Sequence, residues 1–182
     1  MSKVASLFFK LKPSNIIGVT GTNGKTSIAN FYYQILNLNK KNVAAIGTLG
    51  VVSKKFNFKT DNTTIDPIKI HKILKKLKNL KIDNVILEAS SHGLKQYRLN
   101  GINFNTALFT NLSRDHLDYH KTFKDYFNSK LILFKRLMKK KSSIIFDEDL
   151  KISKKIKKIS KIKNFKTLSL GSNNADFKII EH

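Results

Sequence analysis

A glycine-rich segment near the start of the chain, GVTGTNGKTS at residues 18–27, constrains the fold more than any other feature. An apolar, β-branched run, NIIGVT at residues 15–20, leads into it, and a helical repeat of apolar residues follows it. A glycine-rich loop between a strand and a helix lets backbone amides point at phosphate oxygens, and the helix N-terminus adds partial positive charge. The segment therefore predicts a site for a nucleotide phosphate.

Individual residues of this phosphate loop suit nucleotide binding. Lys25 can reach the terminal phosphates, and the hydroxyl of Thr26 or Ser27 can bind Mg²⁺. The spacing is a variant, because the usual G-x-x-x-x-G-K-[ST] loop would place glycine at Val19. A glycine-rich turn with an incidental lysine is the alternative. The predicted ATP-binding residues are Gly21, Thr22, Asn23, Gly24, Lys25, Thr26 and Ser27.

Apolar strands alternate with amphipathic helices along the rest of the chain. Asp66 and Pro67 predict a helix start, as the N-cap and the first helical residue. The polar stretch 50–64 has no clear period, so we expect a long loop there. Further strands are predicted at 42–47, 83–88, 106–111 and 143–146, and helices at 28–36, after residue 66 and at 122–138.

This alternation predicts an α/β fold, a P-loop mononucleotide-binding domain whose mostly parallel sheet has helices on both faces. Ligands of such sheets bind at the carboxyl ends of the strands. The helical repeat after the phosphate loop puts five apolar residues on one helix face: Ile28, Phe31, Tyr32, Ile35 and Leu36.

The formal net charge of +23 would by itself suggest a polyanionic partner such as nucleic acid. The excess, however, is nearly all lysine and is dispersed along the chain. In the basic segment 151–163, isoleucines at 152, 156, 159 and 162 recur at helical spacing, which favours a solvated helix over an apolar stripe. We therefore expect no nucleic-acid partner, and a basic nucleic-acid-binding module is kept as an alternative hypothesis.

The sequence also bears on the location of the protein. No apolar run approaches the roughly 20 residues that span a bilayer. Lys10 and Lys12 interrupt the apolar run that a signal peptide would need. We therefore expect no membrane partner and a cytoplasmic location. The chain has no cysteine, which excludes disulfides and thiolate metal sites.

Three further motifs accompany the phosphate loop: DNTT at 61–64, LEASSHGLKQYRLNG at 87–101 and TNLSRDHLDYH at 110–120. The loop G-T-N-G-K-T-S resembles that of the Mur ligases and of the related folylpolyglutamate synthetases. The other motifs are similar to those of the Mur ligases, ATP-dependent amide-forming enzymes of peptidoglycan synthesis. They resemble the branch that adds the third amino acid to UDP-N-acetylmuramoyl-L-Ala-D-Glu. A related P-loop ligase, such as a folylpolyglutamate synthetase, or a small kinase is the alternative.

Lys130 provides an independent test of this resemblance. It follows Phe123, Tyr126 and Phe127 at helical spacing, so it lies within the apolar stripe of its predicted helix. A lysine that extends to water from a mixed face is the alternative. Burial would depress the pKa of Lys130 and supply a neutral amine able to react with CO₂. The resemblance implies that this lysine carries a carbamate that helps to hold Mg²⁺.

The resemblance also implies roles for other residues. Glu88, at the end of a buried strand, would bind Mg²⁺, and His116 would lie near a second metal position. The implied catalytic residues are Lys25, Glu88, His116 and Lys130, and the implied metal ligands are Thr26, Glu88, His116 and Lys130 as its carbamate. The implied substrate-binding residues are Asn62, Thr63, Thr64, Ser90, Gln96 and Arg98.

The family mechanism passes through an acyl phosphate, formed by transfer of the ATP γ-phosphoryl group to a substrate carboxylate. The expected partners are small molecules: ATP, the UDP-muramoyl-dipeptide and an amino acid, either diaminopimelate or lysine. Because Mur ligases also have an N-terminal UDP-binding domain and a C-terminal amino-acid-binding domain, residues 1–182 are expected to form only part of the central domain. We accordingly expect that this chain alone does not complete the ligation, and that a separate chain would supply both flanking domains.

Overall fold

The computed structural model of this protein describes residues 1–172 and 174–180. Within that part, eight strands form one sheet in the order β3-β2-β4-β1-β5-β6-β7-β8. The strands are β1 Asn15–Thr20, β2 Val43–Gly47, β3 Gly50–Ser53, β4 Asn84–Glu88, β5 Phe104–Phe109, β6 Met138–Asp147, β7 Lys166–Gly171 and β8 Phe177–Lys178. The helices are α1 Ser2–Phe8, α2 Lys25–Leu38, α3 Pro67–Asn79, α4 Ser91–Lys95, α5 Leu117–His120, α6 Phe123–Arg136 and α7 Ser153–Lys163.

The sheet is parallel except at one edge, as the alternation of strands and helices predicts. β1 lies at its centre between β4 and β5, with Val19 beside Glu88 on one side and Leu108 on the other. The carboxyl ends of these three strands therefore meet. Because β1 leads directly into the phosphate loop, residues that follow β4 and β5 lie next to that loop.

The long loop predicted at 50–64 is partly wrong. Residues Gly50–Ser53 form β3, antiparallel to β2, and Val51 also bridges Phe58. Gly50 has a φ of +86°, and a Cβ there would lie 2.3 Å from the carbonyl oxygen of Phe58, so this tight turn requires glycine. The strand was missed because its four residues, GVVS, are too few and too uniformly buried to show a period of two.

The helix boundaries follow their local capping signals. The side chain of Asp66 accepts hydrogen bonds from the amides of Ile68 and Lys69 at the start of α3. Thr122 caps α6 in the same manner. The predicted end of α6 is wrong by two residues, because Met138 pairs with Phe104 and begins β6, which is longer than the predicted 143–146.

Helices cover the two faces of the sheet unequally. The larger core cluster joins one face to α3, α6 and α7, whereas the smaller cluster, centred on Val19, Ala29 and Ile86, joins the other face to α2. On α2, the predicted apolar face is only partly buried, because Phe31 and Ile35 are exposed whereas Ile28 and Tyr32 pack against the smaller cluster. The helix is rotated about its axis so that the small residue Ala29 packs against the sheet.

The same unevenness appears at the far end of the sheet. On the face that α2 partly covers, the strand register continues from Leu108 through Ile145 to Leu168. Leu168, Leu170 and Phe177 are exposed on this face, which we call the open β7–β8 face. On α7, Ile156 and Ile159 are buried, in agreement with the predicted apolar stripe, but Ile162, in the last turn, is exposed.

None of the helices in the described ranges is long and apolar enough to cross a bilayer.

The cap at Asp66 provides a test of the fold. Asp66→Ala removes the acceptor for two amides at the start of α3 and should lower the free energy of unfolding by about 1 kcal/mol. Chemical denaturation of both proteins measures this difference. Asp66→Asn keeps an acceptor and should behave as wild type. Equal stability of the alanine variant and wild type would contradict the assigned cap.

Candidate functional site

A cavity of about 410 Å³ opens at the carboxyl ends of β1, β2 and β4. Fifteen of the sixteen residues predicted for the site line it, and only Gly21 lies behind the surface. Three residues that the sequence analysis missed, Thr48, Ser91 and His92, complete the lining. The predicted residues in the lining are Thr22, Asn23, Gly24, Lys25, Thr26, Ser27, Asn62, Thr63, Thr64, Glu88, Ser90, Gln96, Arg98, His116 and Lys130.

The phosphate loop depends on glycine at two positions. Gly21 has a φ of +147°, and a Cβ there would lie 1.9 Å from Thr110 Oγ1, because the chain after β5 packs directly against the loop. Gly24 is the N-cap of α2 with a φ of +82°. No side chain caps α2, so the amides of its first turn face the cavity end of the helix without a side-chain acceptor. This arrangement suits an anion.

The segment after β5 holds the loop in place. The Asn111 side chain accepts a hydrogen bond from the amide of Asn23 at 2.9 Å, and the Asn111 carbonyl accepts one from the amide of Thr22 at 3.0 Å. Lys25 folds back over the loop, where its Nζ donates to the carbonyls of Thr22 at 2.7 Å and Gly21 at 3.1 Å. Burial lowers the pKa of Lys25, although Glu88 and Asp115 oppose this effect.

Glu88 is buried at the end of β4 with its carboxylate against the start of α2. Its Oε2 accepts a hydrogen bond from Thr26 Oγ1 at 2.9 Å, and its Oε1 accepts one from the amide of Thr48 at 3.0 Å. A Cβ at Gly47 would lie 2.0 Å from Glu88 Oε1, so the absence of a side chain at Gly47 makes room for the carboxylate. Hard oxygen donors at this position are suited to Mg²⁺.

Lys130 is buried, as its place in the apolar stripe predicts. Its side chain is 1% exposed, and its Nζ donates to the carbonyl of Gly21 at 2.6 Å and lies 4.2 Å from the ring centre of Tyr126. Burial, with a smaller contribution from the charge of Lys25, lowers the pKa of Lys130 to about 7, against the opposing charge of Asp115. A substantial fraction of Lys130 is therefore a neutral amine near neutral pH.

A second group of polar residues, Thr64, Ser90, Gln96 and Arg98, forms another wall of the cavity. Thr64 Oγ1 donates to the carbonyl of Glu88 at 3.0 Å and lies 2.9 Å from Ser90 Oγ. Arg98 is oriented by two contacts, from Nη1 to the carbonyl of Thr64 at 2.8 Å and from Nε to Gln96 Oε1 at 2.8 Å. These contacts join the DNTT and SSHGL motifs, which lie far apart in sequence, into one wall.

His116 lies at the rim of the cavity and is half-exposed. It adopts a left-handed backbone with a φ of +52°, and its amide donates to Asp115 Oδ1 at 2.8 Å. Its ring meets the ring of His92 edge-on, with centroids 4.9 Å apart. Burial lowers the pKa of His92, and the neighbouring His116 lowers it further.

The described residues contain no group of three or more His, Asp or Glu side chains that could hold a metal ion by itself. A cation beside Glu88 and Thr26 would therefore take further oxygen ligands from another source, such as nucleotide phosphates. Glu88 and His116 line the same cavity but belong to different walls.

Sequence and structure comparisons identify related proteins. A family model described as the Mur ligase middle domain matches residues 19–182. The Rhizobium meliloti (strain 1021) UDP-N-acetylmuramoyl-L-alanyl-D-glutamate--2,6-diaminopimelate ligase is 44% identical over 150 residues, which cover 82% of this chain and 31% of that protein. The Rickettsia bellii (strain RML369-C) protein of the same name is 39% identical over 179 residues, which cover 95% of this chain and 37% of that protein.

Solved structures agree with these matches. A structure of a ligase with the same name superposes with a TM-score of 0.84 at 32% identity, covering 99% of this chain and 37% of that one. E. coli FolC in complex with DHPP and ADP superposes with a TM-score of 0.72, covering 93% of this chain and 45% of that one. Its identity of 18% supports a common fold only. The chain spans about a third of the length of the curated relatives.

The pKa of Lys130 makes the stability of the protein depend on pH. The folded pKa of about 7 lies below the ordinary 10.5, so the unfolded chain binds more protons between these values. The free energy of unfolding should therefore rise with pH across this window, by up to about 1.4 kcal/mol per pH unit. Urea denaturation at several pH values should show this rise in wild type and a weaker rise in Lys130→Met. Lys154→Met, on the exposed side of α7, is the matched control, and an unchanged rise in Lys130→Met would contradict the assignment.

Proposed function

The chain belongs to the Mur ligase family, and on that basis we propose that it forms the ATP-binding core for adding the third amino acid to UDP-N-acetylmuramoyl-L-Ala-D-Glu. The observation that carries the proposal is the convergence of Lys25, Glu88 and Lys130 in one cavity with the wall described above, which we call the Thr64–Arg98 wall. The relatives are named for 2,6-diaminopimelate, and we extend that amino acid to this proposal.

The phosphate loop would bind the ATP phosphates. The uncapped first turn of α2 supplies amide donors, and Lys25 can exchange its bonds to the Gly21 and Thr22 carbonyls for bonds to phosphate oxygens. Thr26 and Glu88 would hold Mg²⁺, which neutralises charge on the nucleotide phosphates when bound. His116, at the rim of the cavity, would lie near a second metal position.

The Thr64–Arg98 wall would bind the muramoyl-dipeptide. The guanidinium of Arg98 is held by Thr64 and Gln96 yet still lines the cavity, so it can pair with a carboxylate or phosphate of the substrate. Asn62, Thr63 and Ser90 add amide and hydroxyl groups that can orient a sugar or peptide. This wall and the phosphate loop line the same cavity, so two substrates bound there could meet for transfer.

The reaction would proceed in two steps. A carboxylate oxygen of the dipeptide attacks the γ-phosphorus of ATP, and the bond between that phosphorus and the β-phosphate oxygen breaks. ADP departs, and the substrate then carries an acyl phosphate. The amine of the incoming amino acid then attacks the acyl carbon, loses a proton, and displaces inorganic phosphate to form the amide. Lys25 would stabilise negative charge on the transferring phosphoryl group by position and charge alone.

Lys130 would act as a carbamate. Its burial and its contact with the Gly21 carbonyl hold the amine at the base of the phosphate loop, and its lowered pKa leaves it nucleophilic enough for CO₂. Attack of the neutral amine on CO₂ with loss of one proton gives a carbamate. The side chain thereby changes from a cation to an anion that can accept bonds from Lys25 or bind Mg²⁺.

Ligand binding tests the proposed function. By calorimetry, wild type should bind Mg-ATP, and Lys25→Ala should weaken that binding by about tenfold to hundredfold because it removes a charged donor. Arg98→Ala should instead weaken binding of the UDP-muramoyl-dipeptide and leave Mg-ATP binding largely intact. Lys154→Ala is the matched lysine control. If wild type binds neither ligand, the proposed function is wrong for this chain.

Carbon-13 NMR tests the carbamate. Wild type in ¹³C-bicarbonate should give a carbamate carbon resonance, and Lys130→Met should lose it because no other described lysine combines such burial with so low a pKa. Lys25→Met should retain the resonance, since it removes a neighbouring lysine and keeps Lys130. A resonance that persists in Lys130→Met, or its absence from wild type, would contradict the assignment.

A further inference from the structure

The N-terminal helix α1 is oriented opposite to an ordinary surface helix. It buries its small residues, Ser2 and Ala5, and exposes its large apolar ones. Helical geometry places the exposed residues on one continuous arc, and each is between 55% and 84% exposed. We call this arc the α1 apolar face, formed by Met1, Val4, Leu7 and Phe8.

Polar contacts hold α1 in this orientation. Ser2 Oγ lies 2.7 Å from the carbonyl oxygen of Asn100, and Ser6 Oγ donates to the carbonyl of Gly101 at 3.1 Å. Lys12 Nζ donates to the same Gly101 carbonyl at 2.8 Å. The side of the helix that contacts the protein is therefore polar, so the outward direction of the apolar face is fixed by hydrogen bonds.

A cavity of about 710 Å³ adjoins this face, between α1 and the end of α6. Its lining includes the cations Lys3 and Arg136 and the apolar side chains of Leu7, Ile102 and Leu137. No carboxylate in the described ranges forms an ion pair with either cation. The guanidinium of Arg136 lies 5.7 Å from the ring centre of Tyr97, a contact that leaves its charge uncompensated. The cavity thus combines positive charge that no described carboxylate neutralises with an apolar lining, a combination that suits an amphipathic anion.

The surrounding charge favours an anionic surface as the ligand. Residues 1–60 and 99–114 contain no Asp or Glu, so the segments that build α1 and much of the cavity wall carry only positive charge. Two copies of a chain with a net charge of +23 would repel each other, which disfavours self-association through this face. A bilayer with anionic lipids offers both apolar tails and negative headgroups.

Contrary to the expectation from the sequence of no membrane partner, we propose that the α1 apolar face and the adjoining cavity dock on a bilayer that contains anionic phospholipid. Leu7 and Phe8 insert at the level of the headgroups, while Lys3 and Arg136 contact lipid phosphates. A helix too short to span a bilayer can lie on its surface, so the finding that no described helix could cross a bilayer does not bear on this contact.

The position of this surface is compatible with an open nucleotide site. The cavity lies beside Ile102, just before β5, and Leu137, just after α6. The phosphate loop follows the opposite, carboxyl end of β1. Docking at the amino ends of the strands therefore leaves the carboxyl ends facing away from the bilayer, and the contact does not depend on the function proposed for that end.

Vesicle sedimentation tests the proposal. At physiological salt, wild type should bind vesicles of phosphatidylglycerol and phosphatidylcholine and bind much less to phosphatidylcholine alone. The double variant Leu7→Ser, Phe8→Ser should lower the partition coefficient by about tenfold or more because it removes the inserted apolar groups. Lys3→Gln with Arg136→Gln should lower it by about fivefold per charge.

Matched variants test whether vesicle binding depends on this surface or on exposed apolar residues and positive charges anywhere on the protein. Phe31→Ser with Ile35→Ser removes another exposed apolar pair, on α2, and Lys154→Gln with Lys158→Gln removes two exposed charges on α7. Both should bind like wild type. Equal losses in these controls, or no binding of wild type to anionic vesicles, would overturn the proposal. Light scattering that shows a dimer dependent on Leu7 and Phe8 would instead assign the face to a second copy.

Discussion

The carbonyl oxygen of Gly21 accepts hydrogen bonds from two lysines, Lys25 and Lys130, and the organisation of the site depends on this shared contact. It requires a residue without a side chain at the end of β1 and a lysine on the inward face of α6. It also requires the carboxyl ends of β1 and β5 to lie side by side, since Thr110 fills the space beside Gly21. Strand order, the register of α6 and the composition of the loop therefore all determine what surrounds the carbonyl oxygen of Gly21.

Much of the site could be predicted because its residues occur at chain positions with a defined place in the fold. A residue at the carboxyl end of a parallel strand, such as Glu88, must face the ligand edge of the sheet. A lysine in an apolar helical stripe, such as Lys130, must be buried. Thr48 follows the predicted second strand and satisfies the first rule, but no motif marks it.

The parts that could not be predicted depend on tertiary contacts. Ser91 and His92 lie within the motif at 87–101, but the packing of α4 on α6 that brings them to the cavity has no local pattern. The rotation of α2 about its axis depends on which of its faces packs against the sheet. The small Ala29 packs more closely against the sheet than Phe31 could. The early start of β6 depends on pairing with Phe104 across the sheet. Each error therefore occurs where a neighbour in space, rather than in sequence, determines the structure.

The open β7–β8 face has a consequence for how the protein behaves in solution. Leu168, Leu170 and Phe177 present neighbouring apolar side chains at one end of the sheet, a geometry that favours association between molecules. The net charge of +23 opposes such contacts through long-range repulsion. Dissolved salt screens this repulsion over about 10 Å at 0.1 M and leaves the apolar attraction intact. Colloidal stability should therefore be highest in dilute buffer and fall as ionic strength rises.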